Sequence, residues 1–172
     1  MRPDAAIRLL QASDIDAVLT IQSRAYTEPV PETAEVLLSK LHISPATCWL
    51  AEVDGHPAGY LLTHPWIAAA PPALHAPIDA LPAEVDCLYL HDLAIHPDFR
   101  GYKIAGALVQ GALRAADEMG FAQAALIAVQ ASRKFWARFG FAPLSDPHPR
   151  LREKLASYSA DATFMLRRAV NA

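Results

Sequence analysis

Between His91 and Val109 the sequence reads HDLAIHPDFRGYKIAGALV, and its charged and small residues are spaced to hold an anion. A β-prone run ends, Pro97 forces a turn, and Arg100, Gly101 and Gly106 lead into a helix that starts near Ile104. The first amides of such a helix have no partners inside it, and the helix dipole adds partial positive charge at the same end. Small residues let the backbone come within hydrogen-bonding distance of phosphate oxygens. Arg100 and Lys103 bring full charges there, and a guanidinium makes forked contacts. A pyrophosphate is the anion this arrangement suits. On these residues alone, glycines that only loosen a helix start and solvated cations would read the same way. A second segment, VQASRKFWARFGF over residues 129–141, places Phe135, Trp136 and Phe139 on a short helix closed by Gly140, with Ser132 expected as its N-cap.

These segments need a scaffold, and the apolar periodicity supplies one. A strand over 7–11 is followed by a helix from Ser13 or Asp14 to about Tyr26, with Ile15, Val18, Leu19 and Ala25 as its core face and Ile21 at the edge. Pro29 and Pro31 turn the chain into a helix near 32–41. Residues 48–53 and 58–63 form a hairpin about Asp54-Gly55. Residues 64–84 carry five prolines, Pro65, Pro71, Pro72, Pro77 and Pro82, and read as a long loop. Trp66, Ile67, Leu74 and Ile78 make it a packed flap, since leaving them in water is costly. A strand over 85–95 runs into a helix over 104–119, whose buried face would be Ile104, Leu108, Ala112, Ala115 and Met119. Strands over 124–129 and 162–166 complete the set, and the strand, helix, strand order implies a right-handed parallel crossover.

The segment over 91–109 resembles the acetyl-CoA binding motif of the GNAT superfamily of N-acetyltransferases. Arg100, Gly101 and Ala105 match its R-x-x-G-x-G/A turn, with Leu93, Ile95 and Pro97 matching upstream; residues 129–141 are similar to the family's second signature, an aromatic helix ending in Gly-Phe. The resemblance spans nearly the whole chain. It implies an α+β fold with a mixed central sheet of six to seven strands flanked by about four helices, in a single domain over 1–172. It also implies an acyltransferase that moves the acetyl group of acetyl-CoA to a primary amine of a small molecule or peptide. The implied cofactor contacts are the backbone of Leu93, Ala94 and Ile95, then Arg100, Gly101, Tyr102, Lys103, Ala105 and Gly106. Gln130, Ser132, Phe135 and Trp136 follow from the second signature. Two departures stand out: Lys103 occupies a position where relatives have glycine, and Trp136 one where many carry a tyrosine that protonates the leaving thiolate. An indole N–H does not titrate usefully.

The implied reaction needs a base, because an amine with a pKa near 10 is mostly protonated at neutral pH. Asp92 is the first candidate and His91 the second, with a buried structural hydrogen bond as the competing role for each. On a regular strand they point to opposite faces, and a bulge of the kind relatives carry here would bring them together. Ser132 is expected near the leaving sulfur, Tyr158 is an outside candidate for the acid, and Tyr26, His64 and Trp66 are expected around the acceptor. The alternative is a catalytically weak acyl-CoA-binding sensor. A nucleotide-binding domain of another kind is disfavoured, since neither a P-loop nor G-x-G-x-x-G is present.

At 172 residues and 53% hydrophobic, the chain has the material for a substantial core. Its net charge of -3 argues against nucleic acid as a partner. The longest apolar stretch, over 66–74, is broken by Pro71 and Pro72, so no membrane partner is expected. The N-terminus does not read as a secretory signal, and a cytoplasmic location follows. Cys48 and Cys87 are expected as reduced core thiols and no metal site is expected. A homodimer is the family habit.

Overall fold

The computed structural model describes residues 4–26, 31–129 and 131–169. Its strands are β1 (Ala6–Leu9), β2 (Cys48–Val53), β3 (His56–Trp66), β4 (Cys87–Ile95), β5 (Gln123–Ala128), β6 (Ala142–Pro143) and β7 (Thr163–Arg168). Its helices are α1 (Ile15–Ala25), α2 (Ala34–Ile43), α3 (Ile104–Glu118), α4 (Arg133–Ala137) and α5 (Pro149–Tyr158). The strands form one mixed sheet in the order β1-β2-β3-β4-β5-β7-β6. The expected α+β architecture is therefore present, with β4 and β5 as the parallel pair.

Side-chain alternation along β4 separates two packed layers. Tyr60, Leu62 and Ala94 join α1 and α2 in one core cluster, whereas Leu61 and Leu88 join Ile104, Leu108 and Ala112 of α3 on the opposite face. Cys87 and Tyr89 face the α1 and α2 side, against Leu151 and Leu155 of α5. The β2–β3 hairpin turns on Asp54 and Gly55, both at positive φ. Both cysteines are free and buried, and burial lifts each thiol to about 12.

Several boundaries differ from the expectation. The buried residues of α1 are Val18, Ile21 and Gln22, while Ile15, Leu19 and Ala25 only pack at the margin. Gln22 escaped notice because it is polar; its amide donates to Glu32 O (2.9 Å) and its Oε1 accepts from Glu32 N (3.2 Å), which satisfies it in the core. On α3 the buried face includes Val109, Leu113 and Ala116 instead of Ala115 and Met119. The helix lies flat on the sheet and buries a wide arc, and Met119 falls past its last turn, 47% exposed. His64, Pro65 and Trp66 belong to β3 instead of the loop. Pro65 is tolerated because β2 ends opposite Leu62, leaving no ladder on that side to break.

The polar stretch before the last strand is helical. Pro149 sits in the first turn of α5, where a missing N–H costs nothing, and His148 caps it through Arg150 N. The flap over 67–86 is packed as expected: Ala68 and Ile78 are buried. It is pinned by Lys154 Nζ to Pro71 O (2.7 Å), Tyr158 Oη to Pro72 O (2.7 Å) and Ile78 N to Ser39 Oγ (3.0 Å).

Candidate active site

A bulge in β4 creates the site. Leu62 of β3 lies opposite Asp92 and Thr63 opposite Leu90, so His91 is an extra residue with no opposing partner. The insertion reverses the alternation. Consequently His91 and Asp92 both project to the α1 and α2 side, which a regular strand forbids. Beyond the bulge β4 also leaves β5, to which it is laddered only at Leu88 and Tyr89.

Asp92 accepts hydrogen bonds from the Tyr26 hydroxyl at Oδ1 and the Tyr60 hydroxyl at Oδ2, both 2.6 Å. Burial pushes its carboxyl above the usual range, only partly opposed by those two hydroxyls. The phenols rise as well, through burial and then the charge of Asp92. His91 Nε2 lies 3.5 Å from Glu32 Oε1, an electrostatic approach rather than a formed hydrogen bond, and neither ring nitrogen has a hydrogen-bond partner among the described residues. Burial, then the Lys40 ammonium, hold His91 below its ordinary value, so it is neutral near pH 7. Lys40 is fully buried and its ammonium meets Glu32 Oε1 at 2.5 Å. Burial pushes Glu32 up, but its cationic neighbours prevail and leave it below the usual carboxylate range. Because His91 itself is neutral, we attribute that outcome chiefly to Lys40.

Three adjoining cavities follow the opened edge of β4. The first, about 80 Å³, is lined by Gln22, Tyr26, Pro31, Glu32, Leu74, His75, His91, Asp92, Ile127, Val129 and Tyr158. The second, about 280 Å³, shares Tyr26, His91, Asp92, Ile127 and Val129 with it and adds Leu90, Leu93, Ile95, Ala105, Ser132, Phe135 and Trp136. The third, about 670 Å³, shares Ile95, Ala105 and Phe135 with the second and reaches Arg100, Gly101, Lys103 and Gly106. Here the chain makes two left-handed turns, Gly101 at φ 86 and Lys103 at φ 61, before α3 begins. The first intrahelical bond is Ala107 N to Lys103 O, so the amides of Ile104, Ala105 and Gly106 have no acceptor one turn back inside the helix. That turn, two cations and a long slot beside an unladdered strand edge fit an extended ligand bearing a diphosphate.

The structure thus gathers Asp92, His91, Leu93, Ile95, Arg100, Gly101, Lys103, Ala105, Gly106, Ser132, Phe135 and Trp136 around one channel. Ala94 turns into the core with Tyr60 and Leu62 and lines none of these cavities. Tyr102 packs on Phe99 with the α3 layer and lines none of these cavities. Gln130 lies outside the described residues. Ser132 has helical φ and ψ and makes no capping bond; its Oγ instead accepts from Trp136 Nε1 at 3.2 Å.

Tyr26 lines the first two cavities, whereas His64 and Trp66 line none of the three. His64 stacks behind His91 at 5.5 Å between ring centroids, and Trp66 Nε1 donates to Ala70 O. The sequence reading missed Glu32, Lys40 and Tyr60. Lys40, inside the helix expected near 32–41, was the available signal, since such a residue is buried only when paired. Among the described residues no cluster of three His, Cys, Asp or Glu side chains is arranged to hold a metal ion, and no helix is long and apolar enough to cross a membrane.

A mixed sheet split by a β4 bulge, with a helix N-terminus at one end of the gap and titratable groups at the other, defines the acyl-CoA N-acyltransferase class. The chain matches the family described as Acetyltransferase (GNAT) family over residues 15–141, and it belongs to that family. Its fold is similar to that of Ard1 from Thermoplasma volcanium (18% identity, 97% of this chain and 99% of that one, TM-score 0.74). It is also similar to the ribosomal-protein-S18-alanine N-acetyltransferase of Escherichia coli (16% identity, 98% and 96%, TM-score 0.69). A third similar structure is the PaiA N-acetyltransferase of Thermoplasma acidophilum in complex with coenzyme A (14% identity, 96% and 99%, TM-score 0.68). No curated protein sequence matches this one.

Proposed function

We propose that this chain, as one acetyltransferase domain, transfers the acetyl group of acetyl-CoA to a primary amine by direct attack in a ternary complex. The observation that carries this reading is the continuous channel joining the α3 turn to the bulge that presents His91 and Asp92. Arg100, Lys103 and the first amides of α3 hold the diphosphate. Bound acetyl-CoA supplies an activated acyl group and a thiolate leaving group.

His91 is the better proton acceptor of the two candidates. It is neutral, faces both inner cavities and has no hydrogen bond to surrender, whereas both Asp92 oxygens are engaged by phenols. Both Asp92 oxygens accept from phenols, as a carboxylate does, and in that form it acts through its charge, holding the incoming ammonium and stabilising the imidazolium. As the amine nitrogen forms its bond to the acyl carbon, the carbon–sulfur bond breaks. Of the two protons that the ammonium gives up, one leaves through His91 and one ends on the thiol. Backbone N–H groups between Leu93 and Ile95 hold the developing oxyanion. Ser132, with its oxygen already accepting from Trp136, is free to donate its own proton toward the sulfur, in place of the family's tyrosine.

Calorimetry with acetyl-CoA, paired with thiol release across a panel of amines, tests the proposal. Arg100→Ala should weaken acetyl-CoA binding by roughly 10- to 100-fold, the worth of a hydrogen bond to a charged group. Undetectable binding to the unaltered protein at millimolar ligand would defeat the reading, and tight binding without turnover for any amine would favour the sensor.

A further inference from the structure

The cavity beyond the bulge is small, and its charges are of one sign. Glu32 and Asp92 line it, and no lysine or arginine does among the described residues. The nearest cation, Lys40, is fully buried on the far side of Glu32 and committed to Glu32 Oε1. That same oxygen also accepts from His75 N at 3.0 Å, while Glu32 Oε2 is buried with no hydrogen-bond partner among the described residues. The residues joining Tyr26 to Pro31 are Thr-Glu-Pro-Val, which bring no cation. Leu74, Ile127 and Val129 supply apolar wall.

The flap crosses this cavity and is fixed on both sides, by His75 N on Glu32 and by Tyr158 Oη on Pro72 O. About 80 Å³ holds only a handful of non-hydrogen atoms. An acceptor bearing a carboxylate next to its amine would set that group beside Asp92 and Glu32 in a site of low dielectric, with no lysine or arginine among the described lining residues to meet it. The flap's bonds to Glu32 and Tyr158 narrow the cavity for a longer chain.

Resting on the acetyl-transfer reading above, we propose that the acceptor is a compact primary alkylamine that enters as its ammonium and carries no carboxylate or phosphate. Its cation faces Asp92, while the charge of Glu32 is largely answered by Lys40. Its alkyl body lies against Leu74, Ile127 and Val129.

A matched set separates the contributions: isobutylamine, valine (the same skeleton with a carboxylate) and a valine-led tetrapeptide amide (no carboxylate, but a long chain). Each is measured twice on the full chain, by rate with acetyl-CoA and by calorimetric binding to protein saturated with CoA. Isobutylamine should exceed both others by at least about tenfold in kcat/KM and in affinity, as expected for an unscreened like-charge contact. Valine or the peptide matching isobutylamine would overturn the proposal, as would failure of all three to bind or react. Selective binding of isobutylamine without acetyl transfer would uphold the pocket and sink the transferase reading instead. Leu74→Arg places a cation on the wall and should narrow the gap between isobutylamine and valine; an unchanged gap in a folded variant would refute the charge argument.

Discussion

His91 and Asp92 stand side by side, yet burial drives them in opposite senses, the imidazole toward neutrality below its ordinary range and the carboxyl toward protonation above its own. A base that is already neutral at pH 7 needs no further deprotonation to work. His91→Ala should therefore lower kcat by a factor of roughly 10² to 10⁴, with calorimetric affinity for acetyl-CoA little changed because the phosphate end of the channel is untouched. Loss of affinity in parallel with kcat would mean that the residue serves the fold and not the chemistry. Lys103 offers a second case. Its left-handed φ of 61° is one that glycine adopts freely, whereas a Cβ in that conformation costs roughly 1–2 kcal/mol. Lys103→Gly should raise unfolding stability by about 1 kcal/mol in urea while weakening acetyl-CoA binding a few-fold through the lost charge. The sequence carried both residues openly. What it hid was the pairing of Glu32 with Lys40: the lysine's place in an apolar helix was a signal, but nothing local named its partner.

Strand β4 shows why elements were more legible than their irregularities. Its β-prone run and the glycine-rich turn after it were plain, and so was the order of strands and helices. The bulge itself was only suspected by resemblance, since one extra residue changes no composition, and α5 was missed because a proline at its first turn reads as a breaker. Gly59 was passed over for a similar reason. A Cβ there would lie 2.5 Å from Ile95 Cδ1, 3.0 Å from Ala94 O and 3.3 Å from Ile104 Cγ2, where β3, β4 and α3 converge. The Ile95 methyl can rotate away, but the backbone oxygen cannot. Gly59→Val should cost about 1–3 kcal/mol, read as a lowered urea midpoint at constant m. No change would show that α3 is free to lift.

Acid should loosen the molecule before its carboxylates titrate. Burial, then repulsion from His91 wherever that ring is protonated, push His64 down to about 3, whereas the unfolded chain takes up that proton near 6.5. Below 6.5 the unfolded state binds more protons, so stability falls as pH drops toward 3 and is fully present above 6.5. His91 acts in the same direction. Asp92, raised on folding, opposes them, and Glu32 contributes only once pH falls below its unfolded range near 4. Linkage gives up to about 2 kcal/mol lost per buried histidine between pH 7 and 5. His64→Phe keeps the ring contacts and should abolish one such share, measured as the difference in unfolding free energy at those two pH values. An unaltered pH 7-to-5 difference would mean that His64 titrates normally.

With only two rungs between β4 and β5, the sheet is nearly two sheets hinged at Leu88 and Tyr89. Past the hinge β4 is not laddered to β5, although Leu93 O already accepts from the Tyr26 hydroxyl at 2.9 Å, and a guest carrying its own amide groups would serve as a short honorary strand. Recognition of that kind is written in backbone spacing and not in side-chain identity. Sequences can drift far while the fold is kept, as identities of 14–18% at TM-scores of 0.68–0.74 illustrate.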